Sequence, residues 1–165
     1  MVNFIIIGPF MAICYRDIFK GLKDGTIYLG FEKRGMEFIN SEIQINSCWF
    51  NSLMSGKNNE YIPLVKRYKD GSYKTLDNYD AINVVNVEDI PIDYDGEMCL
   101  PLTFFDRWNS DQFELIGMLT DKTGDGKYMI NGIRTYVDDK HRKRKSAVLD
   151  GKMLFDRLLI RRKNT

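Results

Sequence analysis

At 165 residues, with 44% hydrophobic and 28% charged side chains, the chain suits one folded domain that needs no disulfide or metal staple. A formal charge of +1 excludes a uniformly basic or acidic polyelectrolyte, so any charged partner must be recognised by where the charges sit. No apolar run reaches the roughly 18 residues of a bilayer span, and Met1-Val-Asn-Phe-Ile-Ile-Ile-Gly8 lacks the basic start and cleavage site of a signal peptide, which leads to the expectation of a cytoplasmic protein with no membrane partner.

In chain order, Phe4–Ile7 is a continuous β-branched run ending at Gly8, the pattern of a strand buried on both faces in the middle of a parallel sheet. Tyr15, Ile18, Phe19 and Leu22 then form one apolar stripe at helical spacing, and Asp24-Gly25 supplies a stop. Thr26–Phe31 reads as a second strand, so the opening segment predicts a βαβ unit. Such a unit has no visible neighbours on the other side of its first strand, and the expectation is that something normally precedes it. Beyond residue 31 the pattern is strand-rich. Glu42–Phe50 alternates, with Ile43, Ile45 and Trp49 on one side, and predicts a half-buried strand. Met54–Glu60 reads as an exposed loop, and Asp80–Val87 and Met98–Phe105 as strands, the second placed at an edge or bulge by Pro101. Asn109 is expected to cap a short helical turn, with Gln112 reaching back. Phe113–Leu119 is apolar, Asp121–Lys127 is a turn, Asp138–Lys145 a charged loop, and Met153–Arg162 a final strand. The fold class is therefore α/β with an α+β tendency, a single domain over 1–165 divided at residue 31 into a sheet-and-helix start (1–31) and a strand-rich remainder (32–165).

Cys14, Cys48 and Cys99 are far apart in sequence and set among apolar neighbours, while His141, the only histidine, lies in a run of lysines and arginines. That spacing fits buried reduced thiols and predicts no metal site. Asp121-Lys-Thr-Gly-Asp-Gly126 imitates the start of a calcium loop, but Gly132 stands where the bidentate Glu belongs. Gly126-Lys127 is no phosphate loop, because Tyr128 replaces the Ser/Thr. The acidic stretch Asp89–Glu97 contains Pro91 and Gly96, has no partner motif, and is expected to be a solvated loop rather than an acid/base pair.

The near-neutral total hides segregation. From Thr75 to Asp106 there is no lysine or arginine, whereas Asp77, Asp80, Glu88, Asp89, Asp93, Asp95, Glu97 and Asp106 are acidic. The tail has the opposite sign: Lys140, Arg142, Lys143, Arg144 and Lys145, then Arg161, Arg162 and Lys163. A basic loop near a basic strand end is the footprint of a polyanion, since each phosphate contact releases counterions; its alternative is a solvated charged loop. Among the aromatics near polar segments, Trp49 and Phe50 are candidates for stacking on an unpaired base, although alternation favours a core role for Trp49 and Trp108.

Several segments, taken in order, resemble the EcoRI-type adenine-specific DNA methyltransferase family. They are Phe4-Ile-Ile-Ile-Gly8, Ala12-Ile13 with Tyr15-Arg-Asp-Ile-Phe19, Ile27-Tyr-Leu-Gly30, Trp49-Phe50 and Asp77-Asn-Tyr-Asp-Ala-Ile-Asn83, followed by Asp89-Ile-Pro-Ile-Asp-Tyr-Asp-Gly96, Pro101-Leu-Thr-Phe-Phe-Asp106, Asp111-Gln-Phe-Glu-Leu-Ile-Gly117 and Phe155-Asp-Arg-Leu-Leu-Ile-Arg-Arg162. The resemblance implies an enzyme that methylates adenine N6 in duplex DNA with S-adenosylmethionine, extruding the target base. It also implies a fold: residues 1–31 as the end of a Rossmann-like methyltransferase sheet, and 32–165 as a target-recognition region facing DNA. Such enzymes need a Gly-rich turn after a first strand and an Asn/Asp-Pro-Pro-aromatic tetrapeptide, and neither occurs here. Gly8-Pro9-Phe10 matches instead a family segment after a later strand, near the cofactor, with Pro9 where an Asn is usual. The expectations are no catalytic or cofactor-binding residue in this chain, no tight S-adenosylmethionine binding, and a start downstream of the tetrapeptide. DNA contact is expected at Lys140, Arg142, Lys143, Arg144, Lys145, Arg161 and Arg162. A separate chain carrying the N-terminal methyltransferase half is the expected protein partner. Two other readings are a non-catalytic DNA-binding module and an interaction domain pairing through an exposed sheet edge.

Overall fold

The computed structural model describes residues 2–30, 46–53, 60–120 and 146–163. The architecture is mixed α and β, with one short α-helix and three small sheets among these residues.

The opening run forms β1 (Ile5–Pro9), and the stripe after it forms α1 (Arg16–Lys23). A 3-10 turn, Phe10–Cys14, links the two and buries Phe10, Ala12, Ile13 and Cys14. Phe19 and Leu22 of the predicted stripe face the core, but Tyr15, in the cap position, is 47% exposed. The stop is as read: Asp24 caps the helix and Gly25 takes a φ of 66°, which a side chain would strain. The second strand is confined to β2 (Tyr28–Leu29), and β3 (Ser47–Asn51) completes a sheet of order β1-β3-β2.

This sheet corrects the βαβ reading. β1 and β2 both run antiparallel to β3, so they are parallel to each other, but β3 lies between them. Among the described residues β1 is therefore an edge, and Ile5, Ile6 and Ile7 are 60%, 57% and 40% exposed. Apolar β-branched composition made the strand; it could not say what covers it. The alternation expected over Glu42–Phe50 is corrected from Ser47 on, residues 42–45 lying outside the described residues. As the central strand β3 buries Ser47, Cys48, Phe50 and Asn51 and leaves Trp49 half-buried, so both of its faces are covered.

The larger sheet has the order β4-β5-β9-β6, from β4 (Ile82–Asn83), β5 (Met98–Pro101), β9 (Arg157–Arg162) and β6 (Phe113–Leu119). Only β4 and β5 pair in parallel. β5 lies inside the sheet, so Pro101 marks no edge; it is the strand's last residue, opposite Arg157, and a 3-10 turn (Leu102–Arg107) follows. β6 carries a bulge between Leu115 and Gly117. Met98, Leu100, Leu158, Leu159 and Ile160 are wholly buried, with Phe104, Phe105 and Phe113 close behind. Phe104 meets Trp108 and Phe113 edge to face, at 5.9 and 5.4 Å.

A third, two-stranded element was missed by the sequence reading: the hairpin β7 (Val148–Leu149) and β8 (Lys152–Met153). Its loop is Asp150-Gly151, with φ 51° and 74°. Two positive φ values are what a type I′ turn requires, and Asp-Gly is a standard signal for it. Asn109 behaves as a turn-former rather than a helix cap. Its Oδ1 accepts the N–H groups of Asp111 and Gln112 at 2.8 and 3.2 Å. Gln112 does not reach back: its amide clasps the backbone of Ile62, accepting from the N–H at 2.8 Å and donating to the carbonyl at 2.7 Å.

Cys14, Cys48 and Cys99 are buried thiols, and the Cys14 Sγ lies 3.8 Å from the Met118 sulfur. Burial raises the Cys48 and Cys99 thiols to about 12, with Asp106 adding to the effect at Cys48. Both stay protonated at neutral pH and are poor nucleophiles or metal ligands. Among the described residues no group of three His, Cys, Asp or Glu side chains could hold a metal, and no helix is long and apolar enough to cross a membrane.

Candidate nucleic-acid interface

Two of the seven predicted DNA contacts, Arg161 and Arg162, lie at the end of β9; Lys140, Arg142, Lys143, Arg144 and Lys145 fall outside the described residues. Strand pairing brings the basic tail against the acidic stretch. Arg161 donates to Glu97 at 3.0 Å and lies 3.7 Å from Glu114, while Arg162 lies 3.6 Å from Asp95. The charge segregation along the sequence is thus, in part, an ionic seam across β5, β9 and β6. Both arginines already face carboxylates, which lowers the positive potential they offer to a phosphate.

The same holds for a second basic segment that the sequence reading passed over. Lys66, Arg67, Lys69 and Tyr73 line a cleft of about 500 Å³ together with Asn83 and Asp89. Lys66 is hydrogen-bonded to Asp89, Arg67 lies 3.8 Å from Asp93, and Lys74 lies 2.6 Å from Asp150. The hydrogen bond to Asp89 raises the Lys66 pKa, and the same bond is the main reason the Asp89 carboxyl is held below its usual range. The carboxylates of 89–97 therefore brace neighbouring strands and loops. The aromatics here are also engaged, Tyr68 resting against Tyr94 at 4.6 Å and Tyr73 at 5.9 Å.

The stacking candidates separate. Phe50 is 4% exposed, with its ring over Gly8, and presents no face to a base. Trp49 is half-buried and packs on Gly30, where an added Cβ would come within 2.6 Å of the Trp49 Cβ. Among the described residues the most exposed aromatic is one the sequence reading did not single out. Phe155, between β8 and β9, is 90% exposed. With Phe10, Met11, Leu102, Met153 and Arg157 it lines an apolar cleft of about 710 Å³. Ser146 lines the same cleft and directly follows the run Lys140–Lys145. The chain is fixed to the body there. The buried Asn78 amide donates to the Ser146 carbonyl and accepts the Val148 N–H, both at 2.9 Å.

At the turn after β1, Pro9 has no N–H to offer, and the Phe10 N–H is bonded to the Asn46 carbonyl at 2.7 Å. A cofactor carboxylate or hydroxyl would find no free backbone donor at those two residues.

The family model described as adenine-specific methyltransferase EcoRI matches residues 41–163. The chain belongs to the EcoRI-type adenine-specific methyltransferase family. Among individual relatives of the EcoRI-type chain, type II methyltransferase M.EcoRI of Escherichia coli is 32% identical over 98% of this chain and 50% of its own length. Type II methyltransferases M.MpnI of Mycoplasma pneumoniae and M.MgeORF184P of Mycoplasma genitalium are 28% and 29% identical, each over 72% of this chain and 45% of its own length. The chain thus spans about half the length of the relatives it matches. No solved structure matches it.

Proposed function

We propose that this chain is the DNA-facing part, as fragment or subunit, of an adenine-specific N6 DNA methyltransferase of a restriction-modification system, working in the cytoplasm, and that alone it transfers no methyl group. The observation that carries this is a conjunction. The family match covers most of the chain, yet its 165 residues contain neither the Asn/Asp-Pro-Pro-aromatic tetrapeptide nor the Gly-rich turn such enzymes use. The complete enzyme takes S-adenosylmethionine; the residues present here do not fit it, since the turn after β1 has its available N–H engaged. The sheet of residues 1–31 and β3 is the end of a Rossmann-like methyltransferase sheet in this reading, and the remainder is the target-recognition region. Catalysis of group transfer depends on holding both reactants in register, which half a site does not achieve.

DNA contact in this reading centres on Lys140, Arg142, Lys143, Arg144 and Lys145, which directly precede Ser146 in the sequence. Arg161 and Arg162 contribute less, because carboxylates face them. Phe155, rather than Phe50, is the ring free to meet a base. Fluorescence anisotropy on a labelled duplex over a salt series tests this. The expected result is binding that weakens steeply with salt, with a log–log slope reduced by about 0.9 for each phosphate contact removed when the five residues are changed to Gln. Phe155→Ala should weaken binding roughly five- to hundredfold if the ring stacks on a base. Salt-independent binding, or none, would overturn the DNA-facing reading. Saturable micromolar S-adenosylmethionine binding by calorimetry, or methyl incorporation into DNA, would overturn the claim that the chain is inactive alone.

A further inference from the structure

β1 presents a surface that the rest of the described chain does not complete. Ile5, Ile6 and Ile7 are 60%, 57% and 40% exposed, and Val2 beside them is 86% exposed. Single exposed isoleucines are ordinary, but consecutive ones along a strand edge are what folded proteins avoid. Side chains alternate along a strand, so Ile6 shares the face of Gly8 and the Phe50 ring, while Ile5 and Ile7 occupy the opposite face. Apolar groups are therefore uncovered on both faces of one strand. The backbone agrees. The Ser52 N–H bonds to the Phe4 carbonyl at 3.1 Å, and the Phe10 N–H to the Asn46 carbonyl at 2.7 Å. These bonds fix which pairs of the β1–β3 ladder are hydrogen-bonded, so the N–H and C=O of Ile5 and Ile7 point away from β3. Among the described residues no strand takes up that side.

We infer that this edge is the docking surface for a cofactor-binding half, equivalent to the part of M.EcoRI that the match leaves uncovered, which adds a strand to β1 and lays apolar elements over both faces. The inference rests on the function proposed above. The complement is set by length, since the match takes in 98% of this chain and 50% of M.EcoRI. A strand bare on both faces calls for a partner that continues the sheet and brings layers to each side, as the interior of an α/β sheet requires. A second copy would pair edge to edge but bring no layer for the faces. Its α1 is already packed against its own 3-10 turn and β6.

Co-expression of the 165-residue chain with the uncovered half of M.EcoRI tests this. The expected result is a 1:1 complex by analytical ultracentrifugation, with the Ile5 and Ile7 amides newly protected from hydrogen exchange. Ile6→Lys and Ile5→Lys/Ile7→Lys should each weaken the complex about tenfold or more. Should either variant lose its fold by circular dichroism, the exchange measurement on the unaltered chain decides. Absence of a complex, a complex without protection at Ile5 and Ile7, or a homodimer abolished by Ile6→Lys would each overturn the inference. Duplex binding of Ile6→Lys, measured over the same salt series, keeps the two readings apart. Retained DNA binding with no complex sinks the docking surface alone, and loss of DNA binding in the unaltered chain sinks the function it rests on.

Discussion

Ile5-Ile6-Ile7 in β1 and Leu158-Leu159-Ile160 in β9 are nearly interchangeable as composition, yet they have opposite fates. The three residues of β9 are wholly buried between β5 and β6, whereas those of β1 stand 40–60% exposed at a sheet edge. An apolar run encodes a strand, and its stabilising value depends on what lies on either side. In the four-stranded sheet this chain supplies both neighbours and both covering layers. In the three-stranded sheet the described residues supply β1 with one neighbour, β3.

The sharpest way to break this comparison is truncation in each sheet. Leu159→Ala removes a buried side chain opposite Cys99 and Gly117 and should cost about 2–5 kcal/mol by denaturant unfolding. Ile6→Ala in the isolated chain should change stability by less than about 0.5 kcal/mol. Equal losses would show that β1 is covered in solution. A smaller effect is expected inside the three-stranded sheet, where Gly30→Ala would drive a Cβ to 2.6 Å from the Trp49 Cβ. That atom cannot swing aside as a side-chain tip can, so a loss of about 1–3 kcal/mol is expected. An unchanged melting temperature would mean that β2 yields freely.

The smallest effect concerns the ion pair between Lys66 and Asp89, outside both sheets. Asp89, held below its usual pKa by hydrogen bonds from Lys66 and Asn86, contributes stability that is present above the unfolded carboxylate value and lost as pH falls through the lower folded value. Lys66 is exposed and Asp89 partly so, and the contribution is small and salt-sensitive. Unfolding curves taken down through about pH 4 should show wild type losing slightly more stability than Asp89→Asn. Parallel curves would dismiss the pair as a stabilising element.

Local features were legible from residues alone. The i, i+3, i+4, i+7 stripe with Asp24-Gly25 gave α1 nearly to its ends, because helix periodicity and a positive-φ stop are properties of neighbouring residues. Asp150-Gly151 carried an equally local hairpin signal that the reading overlooked. The setting of Arg161 and Arg162 was not legible, since Glu97 lies 64 positions from Arg161 and only strand pairing brings them together. Phe155 was missed for a related reason: an aromatic in sequence is core until packing leaves it outside. Phe50, singled out for stacking, went the opposite way, because the central position of β3 buries both faces.

By itself, then, the sequence determined the α1 helix, the strand character of its β-branched runs, the buried thiols, the absence of the catalytic tetrapeptide from these residues, and a family resemblance that the comparisons bear out. Those follow from local spacing and side-chain chemistry. Tertiary structure alone decided that β3 separates β1 from β2, that β5 is interior despite Pro101, and that the acidic stretch neutralises part of the basic tail. It also left Ile5, Ile6 and Ile7 uncovered. Burial and charge pairing are relations between distant segments, and a one-dimensional pattern holds no record of which segments meet.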